Sequence, residues 1–249
     1  MSEAFRPRKS DTMSEATNKA LEKIKENAPP AQAWGRALVA AIPVVGGSLD
    51  HLLFDKADEI RFQKLEQSVK NIEEFINKLD EGRIAIQWFE SVEALEMFKQ
   101  LYEKVEFEPS DSKVKTLSQV YTLFGTKEHV ADPNKKAMLE TISKLTNKQR
   151  DIFRAVGEVP EETKTGSSDA ISYTGRAIWQ SSVLKYINRN AKYLVLLKGV
   201  TSQVRLDVEL DILTSFNLLR IIDIPNLNDR GYAITSYGKL ALSYLRDAS

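Results

Sequence analysis

The stretch ILTSFNLLRIIDIPNLNDRGYAITSYGKLALSYL, residues 212–245, decides the fold. It opens inside a run, residues 203–217, that carries two competing periods. Val204, Leu206, Val208, Leu210 and Ile212 alternate as in a strand, whereas Leu206, Leu210, Leu213 and Asn217 fall on one helical face. Thr201 and Ser202 supply a cap and the run is long, so a helix is expected. Residues 219–224 then read as a strand, residues 225–231 (PNLNDRG) as a turn, and residues 232–235 as a second strand. Residues 236–245 read as a closing helix with Leu240, Tyr244 and Leu245 inward.

Upstream, Thr146-Asn-Lys-Gln149 fits a capping box that opens a helix over residues 147–156. Residues 158–170, EVPEETKTGSSDA, are expected to form a flexible loop, and residues 173–190 a helix. Residues 193–198, YLVLLK, fit a strand or a helix end. The order over residues 146–245 is helix, helix, helix, two-stranded hairpin, helix. With Leu213, Leu218, Leu219, Tyr232, Ile234, Thr235 and Gly238 in place, this order resembles a winged-helix domain. The resemblance implies a fold that serves both as a DNA reader and as a protein-interaction module. In a DNA reader the third helix enters the major groove. Here that helix carries Asp207, Glu209 and Asp211, which repel phosphate, and Arg205 is its lone cation. The cations that would contact nucleic acid are Arg205, Arg220, Arg230 and Lys239, and they make no stripe. A protein-interaction role is therefore favoured over DNA binding.

The N-terminal part reads as a helical bundle. Over residues 55–79, Phe62, Leu65, Val69, Ile72, Ile76 and Leu79 recur in steps of three and four, a heptad seam. Phe62, Leu65, Val69, Ile72 and Ile76 are its candidate interaction residues. The seam has two readings: a bundle core, or an interface with a protein partner or a second copy of the chain. Residues 84–105 form a broad helical face that includes Trp88, Phe89, Leu95 and Phe98. Residues 113–124 follow with Gly125 as C-cap, and Asp132 followed by Pro133 marks a further helix start. The expected organisation is a disordered tail over residues 1–13, a helical bundle over 14–145 and a winged-helix-like domain over 146–249. The fold class is mainly α with a small β-hairpin.

The most apolar piece is residues 37–54, ALVAAIPVVGGSLDHLLF. Residues 37–49 lack charge, too few for a transmembrane helix, which takes roughly 20 apolar residues. Pro43 breaks a helix, Gly46 and Gly47 favour a turn, and Ser48 with Asp50 suits a new N-terminus. A buried helical corner is expected; the rival is a segment that meets a membrane only after rearrangement. Trp34-Gly-Arg36, residues 42–50 and the charged helix behind them are similar to bacterial abortive-infection (Abi-alpha-like) proteins, which implies phage defence.

Composition excludes some chemistry. Lys plus Arg and Asp plus Glu number 35 each, so the chain lacks the overall basic charge of a nonspecific nucleic-acid binder. Arg6, Arg8 and Lys9 form one local basic cluster, with no apolar run behind it to make a secretory signal. There is no cysteine, which removes thiolate nucleophiles and cysteine metal sites and fits a cytoplasmic setting. His51 and His129 are the only histidines and make no ligand spacing; phosphate-loop and GxSxG motifs do not occur. A non-enzyme is expected, with no catalytic residues, cofactor or metal.

Overall fold

The computed structural model of the chain describes residues 55–168, 171–190, 193, 203–222 and 229–247. The tail, the basic cluster at Arg6, the 37–54 corner and His51 lie outside the described residues, as does most of 193–198. The chain is mainly α with one small four-stranded antiparallel sheet. It divides into two compact units between Pro133 and Asn134.

The first unit starts with α1 (Asp55–Ile76). Leu65, Val69, Ile72 and Ile76 are all buried, so the seam is spent on this unit's own core. It faces α4 (Asp111–Phe124), whose Val114, Leu117, Val120, Tyr121 and Phe124 are fully buried. The side chain of Phe62 lies outside the described residues.

The expected helical face over 84–105 is broken in two. A short helix, α2 (Ile86–Phe89), precedes α3 (Val92–Val105). The backbone of 83–85 is occupied elsewhere: the Ala85 N–H donates to Gly125 O at 2.8 Å, and the Lys127 N–H to Arg83 O at 2.8 Å. A backbone paired laterally cannot also run as a helix. Ser91 restarts the helix by accepting from the Ala94 N–H. The shift in phase leaves Val92 and Leu95 exposed, while Trp88, Phe89, Phe98 and Tyr121 form an aromatic cluster. Gly125 lies against that cluster; a Cβ there would stand 2.3 Å from the Phe89 ring.

The second unit begins with α5 (Lys135–Lys144). Its N-cap is Asn134, not Asp132, because residues 133 and 134 form a turn before the helix starts. On sequence this helix closed the N-terminal bundle; its contacts group it with the second unit. The box at Thr146 forms as expected and starts α6 (Asn147–Glu158).

Residues 162–168 are a strand inside the expected loop, and 173–190 are not one helix. They form β1 (Glu162–Ser168), β2 (Ile171–Trp179) and α7 (Gln180–Arg189). β1 and β2 pair in a ladder from Glu162 opposite Ala177 to Ser168 opposite Ile171. β1 is polar throughout and shows no apolar alternation to announce a strand. β2 has β-forming residues, Tyr173, Thr174, Ile178 and Trp179, at positions also compatible with a helix.

In the stretch at 212–245 the helices and strands fold as read over its described residues; residues 223–228, with most of the expected turn, lie outside them. α8 (Gln203–Ser215) leads to β3 (Leu219–Ile222), β4 (Gly231–Ile234) and α9 (Ser236–Asp247). Leu206, Leu210 and Leu213 are fully buried, which settles the helical period over the alternating one. The sheet order is β1-β2-β4-β3, with Ile178 opposite Tyr232 and Leu219 opposite Ile234. Phe153, Trp179, Tyr232 and Tyr244 fill the core between the sheet and the helices. Arg154 donates to Leu245 O at 2.9 Å, and Thr141 and Tyr237 share a hydroxyl hydrogen bond of 2.8 Å, tying α6 and α5 to the C-terminal helix.

Candidate interaction surface on helix α8 and the hairpin

α8 ends in a Schellman turn. The Leu218 N–H donates to Leu213 O at 3.1 Å and the Asn217 N–H to Thr214 O at 2.9 Å. Asn217 takes the left-handed conformation with φ of 57°. The reversal carries the chain into β3, and Thr235 closes the circuit: its N–H donates to Leu218 O at 3.1 Å, and its Oγ1 accepts from the Gly238 N–H at 2.8 Å. α8 and the hairpin are thus held as one rigid surface.

The outward side of α8 is acidic and partly apolar. Asp211 and Arg205 are exposed, and Asp207 and Glu209 are half-buried. Val208 stands among them at 56% exposure, and Ile221 on β3 is 38% exposed. Glu209 is held by Lys148 at 2.9 Å and by Gln149 at 3.1 Å.

Of the four cations read as nucleic-acid contacts, Arg230 is committed to its own unit: Nη1 lies 2.8 Å from Asp211 Oδ1. Tyr232 and the Asp211 carboxylate beside it raise the guanidinium's pKa. Burial pushes the Tyr232 hydroxyl upward, and Arg230 offsets that only in part. Arg205, Arg220 and Lys239 are exposed on three different elements, α8, β3 and α9. The structure pairs the hairpin cation with a helix carboxylate.

A second polar cluster was not legible in the sequence. Asp229 accepts from the Ser181 N–H at 3.1 Å and the Ser181 hydroxyl at 2.5 Å, and it pairs with Lys164. Lys164 also sits 4.9 Å from the Trp179 ring. Asp229 therefore caps α7 from outside, joining β1 to the chain that enters β4. Ser181, Lys185 and Arg189 do recur at helical spacing, which is the one sequence signal for this wall.

Among the described residues, no group of three His, Asp or Glu side chains could hold a metal ion, and no helix is long and apolar enough to cross a membrane. His129 is buried. No family model, no curated protein and no solved structure matches the chain.

Proposed function

We propose that the chain is a non-enzymatic interaction or regulatory protein that works from a helical bundle and a winged-helix-like unit. The observation that carries this reading is the outer face of α8, where Asp207, Glu209 and Asp211 surround the exposed Val208. Support for the winged-helix-like part comes from the order α6, β1, β2, α7, α8, β3, β4, α9 with β4 between β2 and β3; β1 is an addition to that scheme. Glu209 and Asp211 are ion-paired within the unit, so Asp207 and Val208 are what this face offers a partner, and a protein surface with a basic residue beside an apolar dimple suits them. A second copy of the chain is the first partner to test. A role in phage defence belongs to the same proposal and rests on the similarity at residues 34–50; plating efficiency on cells with and without the chain tests it.

The interaction reading is tested by light scattering of the full chain and its Val208→Asp variant. Self-association that weakens in the variant supports it. Anisotropy with a mixed-sequence DNA duplex at low salt should show no binding. Tight, salt-sensitive DNA binding lost on neutralising Arg205, Arg220 and Lys239 would replace this reading with that of a DNA-binding regulator.

A further inference from the structure

A cavity of about 460 Å3 opens between α7 and the chain leading from α6 into β1. Sites for small molecules span roughly 300–1,000 Å3. α7 supplies one wall, with Ser181, Ser182, Lys185, Tyr186 and Arg189. Val159 and Pro160 make an apolar end, and Glu162 and Lys164 of β1 complete the lining.

Most polar groups in the wall are already satisfied. Lys164 is neutralised by Asp229, which also takes the Ser181 hydroxyl. The Ser182 hydroxyl donates to Glu162 Oε2 at 3.1 Å, and the Tyr186 hydroxyl to Glu158 Oε2 at 2.5 Å. Lys185 and Arg189 differ. They stand one helical turn apart and exposed, and neither has an ion-pair or hydrogen-bond partner among the described residues. Like charges at this spacing repel one another. The helix dipole favours Arg189 in the last turn, but it does not explain a second unpaired cation lining the same cavity.

An anion between them removes the repulsion. A guanidinium offers a planar fork that matches phosphate, and an ammonium adds a mobile point charge. Glu162 lines the same cavity, which disfavours a long polyanion and suits a hydroxyl-bearing end. The Tyr186 ring with Val159 and Pro160 gives apolar cover for carbon. We propose that this cavity binds a small hydroxylated organic phosphate, its phosphate clamped by Arg189 and Lys185. The site is separate from the α8 surface and does not depend on it.

Calorimetric titration of the full chain with AMP and with glucose 6-phosphate tests this, alongside inorganic phosphate and a short DNA duplex. Saturable binding of an organic phosphate is expected. Arg189→Gln and Lys185→Gln should each weaken it roughly tenfold or more, the loss of one charge-assisted contact, while Lys136→Gln leaves it unchanged. Amide exchange of the unaltered chain should slow over residues 181–189 when the ligand is added. The proposal is overturned if neither organic phosphate binds at low salt, if both variants bind like the parent, or if inorganic phosphate binds as tightly. It is overturned equally if the DNA duplex binds more tightly through the same two residues.

Discussion

Two residues in the decisive stretch carry more than their size suggests. Gly238 sits in the first turn of α9, where an added Cβ would stand 2.1 Å from Leu218 O. That oxygen is fixed, since it accepts the Thr235 N–H that seals the α8 turn. Gly238→Ala should destabilise the second unit by about 2 kcal/mol or more, read as a lower urea midpoint. Asn217 is left-handed, a conformation that only glycine and, with less ease, asparagine or aspartate accept. Asn217→Gly should be tolerated, while Asn217→Ala should cost about 1 kcal/mol by the same measurement. Asp229 adds a pH dependence. Burial raises its pKa, but the Lys164 ammonium and the two Ser181 donors outweigh that and hold the carboxyl below its ordinary value of 3.8. A depressed folded pKa gives stability that is present above the unfolded pKa and lost as pH falls through the folded one. Asp229→Asn should therefore be less stable than the parent at pH 7, and urea midpoints should show the gap closing below about pH 4.

At the scale of elements, what was legible follows from whether local chemistry or tertiary pairing set the structure. The capping box at Thr146 and the heptad steps of α1 are local, and both were read. The Leu206, Leu210 and Leu213 face also prevailed over the strand alternation, because a helical run of that length satisfies its backbone within itself. The β1–β2 ribbon was missed, since a polar edge strand is held by its neighbour's backbone and not by an apolar face of its own. The break at 83–85 was missed for the same reason: its partner, 125–127, lies far along the chain. The unpaired cations of α7 were invisible while 158–170 read as a loop, because the opposing wall of the cavity was then absent. One side chain pins the missed ribbon: Trp179 Nε1 donates to Glu162 O at 2.7 Å. Trp179→Phe keeps most of the ring and loses the donor. It should cost about 1 kcal/mol, and it should raise amide exchange in β1 more than in β3 and β4.

For the whole molecule, each unit has its own buried core, α1 with α3 and α4 in one, and the sheet with α6 to α9 in the other. Residues 134–249 expressed alone should give a cooperative thermal transition by circular dichroism. A fragment starting at residue 146 lacks α5, whose Met138, Leu139 and Ile142 are buried, and it should melt lower or lose cooperativity. The two fragments together separate the division at Pro133 from the later one suggested by sequence. Phosphate titration of the longer fragment, once shown to fold, should match the full chain, since every residue lining the α7 cavity belongs to it.

Among the described residues the sheet has two open margins, β1 at one and β3 at the other. Open margins invite chains to zip onto one another into fibrils unless something discourages the match. β3 is only four residues long, with Arg220 exposed on it, so it gives an intruding chain little to grip. The longer β1 reads Glu-Thr-Lys-Thr-Gly-Ser-Ser, with charge at its start, a glycine in its middle and no large apolar residue. The feature that hid this strand from recognition in the sequence also keeps it from becoming sticky. Replacing Thr163 and Thr165 with valine would make the strand easier to read and the protein harder to keep in solution.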